Sequence, residues 1–89
     1  MECCDEIISA SRAVEIATNA LVSEYRFVDP ERLTIGVVNV EYGDCVWNVR
    51  LQVVIDAEPA QLMSIHLMQV DACTGQVVGH VTEDHVLLR

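Results

Sequence analysis

Apolar positions recur along this chain with two different periods, and the change of period falls near residue 30. From about residue 5 to 25 the spacing is helical. Ala10, Ala13, Val14, Ala17, Leu21 and Tyr25 follow i, i+3, i+4, with Ile16 and Ala20 widening the stripe. Arg12, Glu15, Asn19 and Glu24 fall opposite. The pattern predicts one amphipathic helix capped by Asp5 or Ser9. Its alanines let it lie close on whatever it covers. Asp29-Pro30 breaks it, because the residue before a proline is pushed toward extended geometry.

Beyond Leu33 the period is 2. Leu33 to Glu41 reads as a strand rich in β-branched residues, and Tyr42-Gly43-Asp44 as a turn. Cys45 to Ile55 alternates most clearly. Cys45, Trp47, Val49, Leu51, Val53 and Ile55 share one face, and Asn48, Arg50 and Gln52 the other. After a loop at 56–60, the strand Gln61 to Val70 places Met63, Ile65 and Leu67 on one side and Leu62, His66, Met68 and Val70 on the other. A last strand is expected from about Gln76 to Thr82, with Glu83-Asp84-His85 as a turn or frayed end. The apolar tail Val86-Leu87-Leu88 should pack on something.

The stretch Val70-Asp71-Ala72-Cys73-Thr74-Gly75-Gln76-Val77-Val78 organises the rest. Asp71 can hydrogen-bond backbone amides two or three residues on, and Gly75 can take φ > 0. Asp71, Thr74 and Gly75 therefore form a structural turn that makes the flanking strands antiparallel. The expected fold is a single α+β domain over 1–89, one N-terminal helix packed on a 3–4-stranded antiparallel meander sheet.

Composition refines this picture. The chain is 52% hydrophobic with four aromatics, Tyr25, Phe27, Tyr42 and Trp47, so the core is aliphatic with Trp47 as an anchor. Five arginines against fourteen acids leave a net charge of −9. This argues against nucleic acid and anionic membrane as partners, since both require basic binding faces. No apolar run reaches the length of a membrane span, and the acidic N-terminus lacks the basic start and apolar core of a signal peptide. The expected location is cytoplasmic, which favours reduced thiols at Cys3, Cys4, Cys45 and Cys73. Cys45 then reads as a small core residue and Cys73 as an exposed, modifiable one.

Little in the chain carries chemistry. No Ser-His-Asp elbow, phosphate-binding glycine loop or metallohydrolase box is present. Cysteine spacing does not match a structural zinc site, and His66 reads as a half-buried, hydrogen-bonded histidine. No catalytic residues, metal or cofactor are expected, and the protein reads as a non-enzyme. One helix covers only one face of a sheet. Surplus apolar side chains, Val46, Val54, Leu62 and Met68, then form a candidate interface for a homodimer or another protein chain.

Three short segments resemble PepSY-type domains. Ile8-Ser9-Ala10-Ser11-Arg12-Ala13-Val14-Glu15-Ile16-Ala17 is similar to that family's helix start. Trp47-Asn48-Val49-Arg50-Leu51 is similar to its middle strand. Val70 to Val78 resembles its closing valine-aspartate, threonine-glycine hairpin. The resemblance implies a PepSY/cystatin-like module that binds proteins, with peptidase inhibition as the suggested role. Against that family's pattern, the chain is expected to stand alone and to lack the usual export signal, which puts the inhibitor role in question. A fainter resemblance is to the gas-vesicle accessory protein O family, through the Trp-led strand, the proline loop and the late hairpin. The arginine-rich tail typical there is not matched, since Arg89 stands alone. Two other readings remain. One is an acidic inhibitor or mimic occupying a basic, nucleic-acid-binding surface of a partner, which predicts acids clustered on one face. The other is an enzyme or ligand carrier with an enclosed pocket of roughly 300 Å³ or more and convergent polar groups.

Overall fold

The computed structural model describes residues 3–88, with side chains described as far as residue 86. Helix α1 spans Ala10–Glu24 and a 3-10 turn spans Pro30–Arg32. Four strands follow: β1 Leu33–Gly43, β2 Val46–Asp56, β3 Gln61–Asp71 and β4 Val77–Leu88. They lie side by side in the order β1-β2-β3-β4, each antiparallel to its neighbour. The architecture is α+β, a helix on a four-stranded meander.

Of the two possible caps, Ser9 is used. Its backbone is extended, and its hydroxyl accepts from Arg12 N at 3.1 Å. The helix therefore starts later than residue 5. Residues before it serve the sheet instead, with Ile8 N donating to Ala72 O at 2.9 Å. At the far end Asp29 caps the 3-10 turn by accepting from Glu31 N at 3.0 Å, with Pro30 in the first position, where a missing N–H costs nothing.

The helix stripe sits on the face expected of it. Ala13, Ala17 and Leu21 form one cluster with Val49, Leu51, Val53, Met68 and Val70, all buried. Trp47 packs against this cluster and donates its indole N–H to Ile8 O at 3.0 Å.

Several expectations are corrected. Gly43 closes β1, and the hairpin loop is Asp44-Cys45, both with left-handed backbones at φ 53° and 66°. Two consecutive positive φ values give a loop whose twist matches that of the flanking strands. Cys45 thus lies in the turn rather than on the strand face. The segment Glu83-Asp84-His85 is not a turn. β4 continues through it to Leu88, with a register shift between Ile65 and His66 of β3 that leaves Glu83 unpaired in the ladder. Its carboxylate accepts from Arg50 Nε at 2.6 Å. The tail is consequently an edge strand and does not fold back over the sheet.

The cysteines are paired, not reduced. Cys3 bonds Cys45 and Cys4 bonds Cys73, with Cα separations of 5.6 and 6.0 Å. Adjacent cysteines cannot conveniently bond each other, but side chains of neighbouring extended residues point opposite ways. Each reaches a different hairpin loop. Cys73 is half-buried and bonded, so it is not a free, modifiable thiol.

Candidate functional site

Three places on the fold bring distinctive groups together. The first is the clamped end of the sheet. Asp71 Oδ1 accepts from Cys73 N at 2.8 Å and Thr74 N at 2.9 Å, and these N–H groups, Thr74 foremost, hold its carboxyl below the usual carboxylate range. Thr74 Oγ1 accepts from Gln76 N at 3.2 Å. Gly75 has φ +75°, and a Cβ there would lie 3.3 Å from Ile16 Cδ1 of α1. Ala72 N donates to Cys45 O at 2.9 Å, which ties the two hairpin loops together. With both disulfides ending here, Asp71, Thr74 and Gly75 serve architecture. Replacing Gly75 with Val should cost about 1 kcal/mol or more, because a β-branched residue resists this φ and also meets Ile16. Thermal unfolding should show a fall of several degrees, roughly 4–8 °C per kcal/mol for a domain of this size. An unchanged midpoint would contradict the turn's geometry.

The second place is the sheet face away from α1. The β2–β3 register pairs Trp47 with Val70, Val49 with Met68 and Ile55 with Leu62. Odd positions of β2 therefore share a face with even positions of β3. Val46 and Val54 lie on the open face, whereas Leu62 and Met68 lie on the helix face. Met68 is 2% exposed and belongs to the core, and Leu62 is 46% exposed at the sheet's end. The four residues do not form one surface. The open face instead carries Val54, Met63, Ile65, Leu67 and Val81, none of which belongs to the core cluster. Glu41 and Asp84 also lie on this face, on the edge strands β1 and β4 opposite Asn48 and Ile65, and are exposed, while polar groups nearer its centre are paired within the chain. Arg50 binds Glu83 through two bonds, and Gln69 Nε2 donates to Asn48 Oδ1 at 3.0 Å.

The third place is a polar chain under the C-terminal end of α1. His66, 4% exposed on β3, is bonded at both ring nitrogens. Its Nε2 lies 2.8 Å from Ser64 Oγ and 3.0 Å from the Tyr25 hydroxyl, and its Nδ1 lies 2.9 Å from His80 Nε2. His80 Nδ1 lies 3.1 Å from a Glu24 carboxylate oxygen. Burial, reinforced by His80, pushes the His66 pKa down, so this ring is neutral near pH 7. One assignment satisfies the imidazole–imidazole and imidazole–carboxylate bonds and one of the two hydroxyls at His66 Nε2. His80 Nδ1–H donates to Glu24, His66 Nδ1–H donates to His80, and His66 Nε2 accepts a hydroxyl proton. The order hydroxyl, imidazole, imidazole, carboxylate can pass a proton. Ser64 nevertheless sits mid-strand in β3, which is paired on both sides, so its neighbouring amides are committed to the ladder and form no oxyanion hole.

Beside this chain lies a pocket of about 210 Å³ lined by Tyr25, Ile55, Leu62, Met63, Ser64, His85 and Val86. It is smaller than the enclosed cavity a carrier was expected to hold, yet polar groups do converge on it. Sequence reading missed this site. Ser64 and His66 sit two apart on a strand, which puts them on one face, but Glu24, Tyr25 and His80 join them only through tertiary packing. Among the described residues, no group of three or more His, Cys, Asp or Glu is arranged to hold a metal ion, and no helix is long and apolar enough to cross a membrane. Comparison with protein-family models, curated proteins and solved structures finds no match to this chain.

Proposed function

We propose that this protein is a non-enzymatic, disulfide-stapled binding module whose working surface is the open face of its sheet, and that a second copy of the chain occupies that face. The observation that carries the reading is the apolar stripe of Val54, Met63, Ile65, Leu67 and Val81 outside the helix-covered core. Four strands of about eleven residues present roughly 19 by 37 Å, about 700 Å². That is close to the roughly 800 Å² per partner of a standard interface. Arg50 and Glu83 already pair at the centre of the face, and its other carboxylates, Glu41 and Asp84, lie on the edge strands β1 and β4, at the rim of such an interface. A two-fold axis sets the stripe against itself.

Regulation of a peptidase is the role the PepSY resemblance adds, acting through the same module. The acidic-mimic reading is less well supported. Asp44 and Asp71 lie at one end of the sheet, Asp56 and Glu58 at the other, and further acids lie on α1 and β4. Among the described residues no single face collects them. The cytoplasmic location expected from the acidic N-terminus goes with free thiols. Two disulfides fit an oxidising compartment better, and that is the location proposed.

Val54→Asp tests the surface. Val54 is half-buried on the open face and outside the core cluster, so the variant should fold with an unchanged far-UV circular dichroism spectrum yet sediment as a monomer. Ile65→Asp, opposite Gln52 on the same face, should do the same. If both variants keep the assembly of the parent chain, the interface lies elsewhere.

A further inference from the structure

The polar chain ends in more hydroxyl protons than it can use. The Ser64 and Tyr25 hydroxyls both lie within bonding distance of His66 Nε2, and that nitrogen offers a single lone pair. Their mutual distance, 3.5 Å, is too long for a good bond between them. If His66 adopts the opposite tautomer, its Nε2–H donates and both hydroxyl protons are released. In either state at least one O–H donor remains without a strong acceptor inside the chain. Ser64 is itself 7% exposed, and both residues line the pocket. The remaining walls are mostly hydrocarbon, from Ile55, Leu62, Met63 and Val86.

We propose that this pocket binds a small uncharged molecule with a compact branched hydrocarbon body and one carbonyl head, the carbonyl oxygen accepting from Ser64 or Tyr25. The volume of about 210 Å³ admits about seven heavy atoms at roughly 30 Å³ per water-sized unit. Anions are disfavoured because the donors are neutral hydroxyls, no arginine lines the pocket, and Glu24 closes the polar chain behind them. Ammonium compounds are disfavoured because no carboxylate lines the pocket. His85 at the pocket wall gives a second polar contact for an amide N–H₂, so a primary amide fits better than a ketone.

The test is a titration of the full-length oxidised protein, followed by two-dimensional NMR, with three probes that share one branched body: isovaleramide, isovalerate and isoamylamine. Isovaleramide should shift Tyr25, Ser64 and His85 resonances with a Kd of about 1 mM, the strength expected of so small a ligand. Isovalerate and isoamylamine should bind at least tenfold more weakly. Ser64→Ala and Tyr25→Phe should each weaken the amide about 3- to 10-fold, the range of one lost hydrogen bond. Leu62→Trp at the exposed end of the sheet should fill the pocket and abolish binding without disturbing the core. The proposal is overturned if isovaleramide leaves the pocket resonances unmoved at 50-fold its expected Kd (about 50 mM). It is equally overturned if isovalerate binds as well as the amide, or if both hydroxyl-deleting variants, shown folded by their own spectra, bind the amide as the parent does.

Discussion

Reduction of both disulfides is expected to lower stability by about 2 to 5 kcal/mol for each bridge taken singly. Cys3–Cys45 and Cys4–Cys73 close loops of 42 and 69 residues of separation, long enough that an open chain gains much conformational freedom when they are cut. The loops overlap, so the two losses do not simply add. A domain of 89 residues holds roughly 4 to 13 kcal/mol in total. The reduced chain should therefore be marginal. Residues 3–8 would then be held by the Ile8 N to Ala72 O bond, the Trp47 indole contact to Ile8 O, the packing of Ile8 on the core and the Cys3–Tyr42 contact. Urea unfolding with and without a phosphine reductant measures this directly. The midpoint should fall sharply on reduction, and Cys3→Ser and Cys4→Ser should each reproduce part of the fall. Superimposable curves would show that the bridges do not hold the fold.

Leu51→Ala is expected to cost about 2 to 5 kcal/mol even with both bridges intact. Leu51 is fully buried in the middle of β2, paired with Val37 on one side and His66 on the other, within the cluster under α1. Truncation removes its transfer energy and leaves a cavity. Ala13 and Ala17 on the helix above it are too short to fill that cavity. The size of the loss reports how far the helix can settle toward the sheet. A denaturant midpoint that falls with an unchanged slope is the expected result. A loss under about 1 kcal/mol would mean that the core collapses around the gap. Leu51 lies far along β2 from Cys45, so this loss and that of the bridges should combine nearly additively. Leu51→Ala in the reduced protein should be largely unfolded.

The helix, the alternation of β2 and the Asp71 turn were legible because each is written locally. Val49, Leu51 and Val53 alternate with polar neighbours, and Asp71 needs only the next three amides. Four features were not local. β4 runs through Glu83-Asp84-His85 because it is an edge strand, where polar side chains stand in water or reach Arg50. The grouping of Leu62 and Met68 with Val46 and Val54 failed on parity. The Asp56–Gln61 pairing across the β2–β3 loop puts odd positions of one strand beside even positions of the other, and a shift of one residue reverses every side chain. The disulfides join residues 42 and 69 positions apart, a proximity that only the assembled hairpins create. The Ser64–His66–His80–Glu24 chain draws on three elements, α1, β3 and β4, and no spacing in the sequence announces it.

The proposed binding of a second copy to the open sheet face predicts a dimer in solution, which light scattering after size-exclusion chromatography detects. Each chain carries a net charge of −9, so two copies repel at long range and attract only through the apolar stripe. Added salt should therefore strengthen association rather than weaken it. At micromolar concentration in moderate salt the eluted species should have a mass of at least twice the 9.9 kDa chain. A mass of 9.9 kDa across the whole range of concentration and salt would contradict the account.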